Sequence, residues 1–381
     1  MDFRTTTFDE LKALLQNRYS AKWSRYEADV IPMWVADMDL GVDESIAEAI
    51  EKAARNFGLG YPSQSLMDEL SSAFVDLCAD KFNGRVDPKL VVATTDVVQS
   101  IYIAISTFSN EGDGVIVQTP IYPPFLSTPK ILKREVVENR LLVDEKGYHF
   151  DLDDFAAKAS DPKNKIALLC TPHNPTGLVM ERELLAEVAR ICGETDTTMI
   201  IDEIHGQIVF GASFTSITSI DTRADYVLCT SATKAYNIAG SRCAVAAFSS
   251  KAVMERFDQV PFHLRGMPSN LGVVATVAAW RGADSWLKSV LDLIGENRDL
   301  LRDFSERTDL FSLPHNSKAT YLAWLSFKEE KEPWKVLLDK AKVGCSPGID
   351  FGEVGAHHAR MNLATTRATL EEALYRIETS L

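Results

Sequence analysis

Lys234 stands in "SATKAYNIAGSR" (231–242), directly after the apolar run "YVLCT". An ammonium is disfavoured in small, apolar company, and Arg242, eight residues on, adds a second cation nearby. Both effects favour the neutral amine, which is a nucleophile and a base. Four other chemically useful groups occupy the same kind of position, just past a short apolar run. Thr95-Asp96-Val97-Val98 follows "LVVAT" and opens a helical pattern; a helix N-terminus offers free N–H groups and the positive end of its dipole to an anion. Tyr122 follows "VIVQ" in the proline-stiffened "TPIYPPF". Asn174 follows "IALLC" in "TPHNPTG"; it precedes Pro175, so its backbone is biased to the extended region, and its amide can hold an oxyanion. Asp202 follows "TMII" in "DEIH", with His205 one turn or two pleats further on.

The elements that must position these groups are short strands. The runs at 90–94, 115–118, 166–170, 198–201, 226–230 and 243–248 lack polar alternation and read as strands buried on both faces. Helical patterns at 97–108 and 181–192 intervene, which implies an α/β domain built on a mainly parallel sheet with flanking helices. Ligands of such sheets bind beyond the carboxyl ends of the strands, where the five groups fall. Further helices are read at 43–57 (Ile46, Ala49, Ile50, Ala53 and Phe57 on one face, Gly58 as the stop), at 66–82, and at the end of the chain. There Thr369 and Glu372 form a capping box before Leu370, Leu374, Ile377 and Leu381. After about residue 265 the helices lengthen and "TYLAWLSF" (320–327) has strand character, which indicates a smaller α+β domain. The expected division is 1–42 as an N-terminal arm and part of the small domain, 43–265 as the large α/β domain, and 266–381 as an interdomain helix with the small domain.

An anion cradle, an aromatic plate, an amide, a carboxylate and a lysine on one sheet edge are the parts needed to hold pyridoxal 5'-phosphate (PLP). The lysine can form a Schiff base with its aldehyde, and the carboxylate can keep its ring nitrogen protonated. With "PHNPTG", "DEIH" and S-x-x-K followed by Arg242, the chain resembles the fold-type I PLP enzymes, the aspartate aminotransferase superfamily, over essentially its whole length. Within it the chain is similar to the cystathionine β-lyase (C–S β-lyase) branch. The residues that carry this are "KWSRYEADVIPMWVADMD" (22–39), "FGLGYPS" (57–63), the histidine of "DEIH" where many aminotransferases have tyrosine, "KAYNIAG" (234–240) and "TYLAWL" (320–325).

The resemblance implies roles. Lys234 would be the Schiff-base lysine and the acid–base that moves the α-proton. Asp202 would pair with the pyridine nitrogen, Asn174 with the phenolate oxygen and the substrate, Tyr122 would stack on the ring, and His205 would lie near it. Ser231, Arg242 and the backbone N–H groups of Val97 and Val98 would grip the phosphate. Tyr61 would reach the phosphate and substrate from the neighbouring subunit, making the active unit a homodimer with shared sites. Arg360 would clamp the substrate α-carboxylate as a bidentate fork, with the backbone at Ala36 touching the same group. Three positions depart from the pattern: Asp96 where many relatives carry glycine, Gln207 where the branch often has an acid, and His357-His358 where an aromatic residue and glycine are usual.

The implied reaction is cleavage of L-cystathionine or a related cysteine S-conjugate to a thiol, pyruvate and ammonia; the alternative is a class I/II aminotransferase of a small amino acid. A serine acyl hydrolase using Ser231 and Lys234 lacks the S-D-N and K-T-G partners that such a motif needs. A binding protein without turnover would have no use for the complete catalytic set. The net charge of −14, with no Lys/Arg cluster, argues against nucleic acid and anionic membrane surfaces as partners. Six widely spaced cysteines without a C-x-x-C pair read as buried free thiols, and with no secretory or spanning segment in view the expected location is cytoplasmic. No metal site is expected: adjacent histidines without partner ligands do not make one.

Overall fold

Seven strands form one sheet in the computed structural model, which describes residues 4–16, 20–56 and 58–381. They are β1 (Val91–Thr94), β2 (Gly114–Val117), β3 (Glu135–Glu138), β4 (Asn164–Cys170), β5 (Thr198–Asp202), β6 (Tyr226–Thr230) and β7 (Ala244–Phe248). Their order is β1-β7-β6-β5-β4-β2-β3. All neighbours are parallel except β7, which runs antiparallel to both β1 and β6. This is the mixed, mainly parallel sheet expected for continuous apolar runs. The edge strand β3 was not foreseen: "EVVE" is too short and polar to read as a buried run, and its first residue is exposed.

Helices cover both faces. Val97–Phe108 and Lys251–Phe257 pack on one, around Ile101, Ile105 and Phe257. Glu44–Arg55, Gln64–Phe82, Arg182–Thr195 and Asn270–Gly282 pack on the other, around Ile46, Phe74, Leu185 and Val273. The first of these starts at the N-cap Asp43, whose side chain accepts the Ser45 N–H, and ends at Arg55 with Asn56 as its C-cap; Phe57, assigned to this helix's apolar face above, lies outside the described residues.

A second, smaller sheet is antiparallel throughout. It comprises β8 (Leu322–Ser326), β9 (Ser346–Pro347) and β10 (His358–Asn362), in the order β8-β10-β9. It shares a core with the long helix Asp284–Thr308, the helix Pro333–Asp339 and the last helix, Arg367–Ser380. The N-terminal segment joins this core: Ile31 and Pro32 pair in parallel with Val343 and Gly344, and Ile31 and Met33 are fully buried there. The last helix starts one turn earlier than the capping box suggested. Its N-cap is Thr366, whose hydroxyl accepts the Thr369 N–H at 3.3 Å, and Thr369 is buried in the first turn. Two threonines three residues apart offered both registers, and burial of Leu370 and Leu374 selected the earlier one. Leu381 lies past the helix and is exposed.

Candidate active site

The carboxyl ends of β1, β4, β5 and β6 open on a cavity of about 230 Å³. Lys234, Asp202, Asn174, Tyr122, Arg242, His205, Val97, Val98, Arg360 and the Ala36 backbone all line it. They come from seven separate segments; the parallel strands bring five of them to one edge, and the loop at Ala36 and the strand carrying Arg360 close on it. Thr95, Asp96, Cys170, Ile204, Thr233 and Ala239 complete much of the wall. Of these, only the Thr95-Asp96 cradle had a readable signal; the others sit beside a site residue and are small or apolar.

Lys234 follows β6 and donates from Nζ to the Ala36 carbonyl oxygen at 2.7 Å. It forms no ion pair with a carboxylate among the described residues. Enclosure by protein lowers its pKa to about 8; Asp37 and Asp202 oppose this, and Arg360 adds to it. Lys234 still keeps some exposed surface, because its head faces the cavity. The cation that acts on it is therefore Arg360, from the far end of the chain, and not Arg242. The latter points its guanidinium at Asp96, 2.5 Å away.

Asp202 ends β5. Its Oδ1 accepts the Ile204 N–H at 2.9 Å, which folds "DEIH" into a turn and not a helix. Burial pushes its carboxyl up to about 7, offset in part by that N–H and by Lys234. Glu203, which no motif or spacing marks, is buried beneath the turn. It accepts the Ile217 N–H at 2.8 Å and is raised by burial to about 8. His205 is buried against Tyr321 with ring centroids 6.2 Å apart, and its Nδ1 has no hydrogen-bond partner among the described residues. Burial, with the positive charges of Lys234 and Arg360, lowers it to about 3, so it is neutral.

Arg360 lies on β10 and is 5% exposed. Nη1 donates to Asn174 Oδ1 at 3.1 Å, and Nη2 donates to the Trp34 carbonyl at 2.9 Å and to Ser346 Oγ at 3.2 Å. Its guanidinium lies over the Phe351 ring, and Nε has no partner among the described residues. No carboxylate among the described residues lies within ion-pair distance of it. A buried guanidinium held by neutral acceptors alone is set up for an anionic ligand.

The loop Trp34–Leu40 closes the remaining side. Trp34, Val35 and Ala36 give carbonyls to Arg360, Asn362 and Lys234. Asn237 clasps the loop from the lysine segment: its Oδ1 accepts the Met38 N–H at 3.0 Å, and its Nδ2 donates to the Leu40 carbonyl at 2.5 Å. Neither Asn237 nor Asn362 was recognised from the sequence, because a side chain that bonds backbone leaves no motif.

Ser231 and Tyr61 are not among the residues around the cavity. Ser231 is buried just past β6, where its hydroxyl donates to the Cys243 carbonyl at 2.6 Å and accepts the Thr233 N–H at 3.1 Å. Tyr61 is fully exposed, in the turn before Gln64–Phe82. The departures also find places. Asp96 caps the helix Val97–Phe108, Gln207 donates to Tyr236 Oη at 2.9 Å, and His358 stacks on Trp324 with centroids 4.7 Å apart. His357 bonds the Glu330 carbonyl. His173 is buried between Thr176 Oγ1 and the Gln118 carbonyl, as a loop residue.

Residues 28–377 match the family model "Aminotransferase class I and II", and the chain belongs to that family. It is 31% identical over 379 residues to a protein of Corynebacterium glutamicum named cystathionine beta-lyase, covering 98% of this chain and all of the relative. A cystathionine beta-lyase of Bacillus subtilis is 31% identical, with 95% of this chain and 96% of the relative covered. Among solved structures, cystalysin from Treponema denticola, which contains a pyridoxal 5'-phosphate cofactor, superposes with a TM-score of 0.91 at 28% identity, covering 96% of each chain.

Proposed function

We propose that the protein is a PLP-dependent carbon–sulfur β-lyase of the cystathionine β-lyase type, acting on L-cystathionine or a related cysteine S-conjugate. The observation that carries this reading is the complementarity of the groups around one cavity. Among the described residues Asp202 is a buried carboxylate in no ion pair and Arg360 a buried cation in none, and both act on Lys234, an amine lowered to about 8. PLP fits these residues: its ring N–H suits the Asp202 carboxylate, its aldehyde suits the Lys234 amine, and its phosphate suits Arg242 with the Val97 and Val98 N–H groups. A substrate α-carboxylate suits Arg360.

When bound, PLP supplies a ring into which the electron pair left at Cα can spread. Arg360 binds the substrate carboxylate and, through Asn174, fixes the amino acid relative to the sheet edge. Asp202 holds a proton at the ring nitrogen. Lys234 takes the α-proton; the C–S bond then breaks with its electron pair going to sulfur, and the thiolate leaves. The three-carbon remainder takes up one water and is released as pyruvate and ammonia. Tyr122, His205 and the Trp34–Leu40 loop wall the reacting atoms from solvent.

The protein works as a homodimer with shared sites. Tyr61 has no role in its own chain's cavity and stands fully exposed beside Leu59, on a turn that Asn270 Nδ2 fixes through the Gly60 carbonyl at 2.8 Å. From there it reaches the phosphate end of the neighbouring subunit's site. The six free, buried cysteines suit a reducing cytoplasm; among the described residues no helix is long and apolar enough to cross a membrane. The chain divides functionally into the arm 1–42, the cofactor-holding part 43–265 and the substrate-carboxylate part 266–381, which carries Arg360.

The test is to supply L-cystathionine with no keto-acid acceptor. Pyruvate and thiol should appear in equal amounts. Turnover that requires 2-oxoglutarate and releases no pyruvate would assign the protein to the aminotransferases instead.

A further inference from the structure

Asp96 lies where the phosphate end of PLP is to be held, and its carboxylate is already engaged on both oxygens. Oδ1 accepts the Gln99 N–H at 2.8 Å as the N-cap of Val97–Phe108, and Oδ2 accepts from Arg242 Nη2 at 2.5 Å. Both residues line the cavity that holds Lys234. Arg242 has left-handed backbone, with φ of 53°, at the end of the turn Ala239–Ser241. A non-glycine residue holds that conformation only where its surroundings impose it. Here the helix Asn270–Gly282 presses on the turn so closely that a Cβ on Gly272 would lie 2.3 Å from the Ser241 carbonyl oxygen. The turn and that helix therefore fix the Arg242 backbone, and Asp96 fixes its head, although the arginine side chain is 65% exposed.

Two consequences follow from charge. A partly solvated arginine that would otherwise sample many rotamers is held at the cradle before the phosphate arrives. An arriving phosphate dianion then meets a carboxylate in the cradle itself, bound to the arginine it needs. Like charge in the same cradle opposes binding even where water screens it.

We propose that Asp96 is an internal counterion that keeps Arg242 in place and weakens the hold on the cofactor phosphate, so that the protein exchanges PLP more readily than the same cradle without that charge. This rests on the PLP reading and deepens it: the fraction of loaded enzyme then follows the supply of PLP, and discrimination against unphosphorylated pyridoxal is reduced.

Equilibrium dialysis of the full chain against PLP and, separately, against pyridoxal tests this, read by cofactor fluorescence without substrate. Asp96→Asn retains an N-cap oxygen and so retains the helix end. It should tighten PLP binding by about tenfold and change pyridoxal binding by less than about twofold. Asp96→Ser, a second neutral cap, should do the same, which guards against one variant failing to fold. PLP affinity that is unchanged or weaker in a folded neutral variant overturns the proposal, since Asp96 would then be a cap alone or a phosphate ligand. A wild-type chain that takes up no PLP overturns the functional reading itself, and this proposal with it.

Discussion

Arg360 Nη1 donates a hydrogen bond to Asn174 Oδ1 at 3.1 Å, across 186 residues of sequence. The group assigned to the substrate carboxylate is thus tied to the group assigned to the cofactor oxygen. The bond commits Asn174 Oδ1, so what Asn174 offers a ligand is its amide N–H.

Arg360→Lys should therefore be a severe change. One ammonium cannot fork onto a carboxylate while also holding Asn174, the Trp34 carbonyl and Ser346. We expect kcat/KM for cystathionine to fall about a hundredfold, mostly through KM, with PLP uptake close to wild type. A near-normal KM would remove Arg360 from the substrate site.

Lys234→Ala should leave the fold intact, because among the described residues the lysine head makes one hydrogen bond, to the Ala36 carbonyl. Turnover should drop at least about a thousandfold with the acid–base gone. The pH dependence follows from the lowered pKa of about 8. The neutral amine prevails above that value, so the rate at which cofactor-free protein takes up PLP should rise with pH to about 8 and level off. The folded value lies below the unfolded one, so the stability this group contributes is present above about 10.5 and is lost as pH falls through 8. An uptake rate flat from pH 6 to 9 would contradict the assignment.

Asp202 behaves in the opposite sense. Its folded value of about 7 lies above the unfolded 3.8, so its contribution to stability is whole below about 3.8 and is lost as pH rises through 7. Asp202→Asn removes a buried charge while keeping an acceptor for the Ile204 N–H. The cofactor-free variant should melt a few degrees above wild type at pH 8, yet turn over at least about a hundredfold more slowly. A lower melting point at pH 8 would show that the carboxylate is satisfied where it sits.

The strand ends were legible in the sequence because each buried run of a parallel sheet stops where its ligand-facing residue begins. Lys234, Asp202, Asn174 and Tyr122 stood out on that ground, before any resemblance was invoked. Arg360 was different: "ARMNL" carries no local signal, and only the resemblance singled it out. The edge strand Glu135–Glu138 escaped notice because its polar ends mask a short core. Asn237 and Asn362 escaped because their work is done on backbone carbonyls nearly 200 and more than 300 residues away. The source of the second cation at Lys234 was misplaced for the same reason: proximity in sequence favoured Arg242, whereas the fold brings Arg360 and gives Arg242 to Asp96.

The Trp34–Leu40 loop rests on a buried ion pair, and the pair should be as important to the site as to stability. Lys22 Nζ lies 2.7 Å from Asp39 Oδ2, with side chains 1% and 3% exposed. Trp23 Nε1 donates to Asp39 Oδ1 at 2.7 Å, and Lys22 also donates to the Asp37 carbonyl at 3.2 Å. Asp39→Ala would leave the Lys22 ammonium buried without its counterion, at a cost of roughly 3–5 kcal/mol in a denaturant titration. Replacing both partners, as Lys22→Met with Asp39→Leu, should cost less than Asp39→Ala alone, because no stranded charge remains. The loop supplies the Ala36 carbonyl to Lys234 and the Trp34 carbonyl to Arg360. Both variants should therefore raise KM, even where the double replacement recovers stability. A double variant with wild-type KM would mean that the loop holds its shape without the pair.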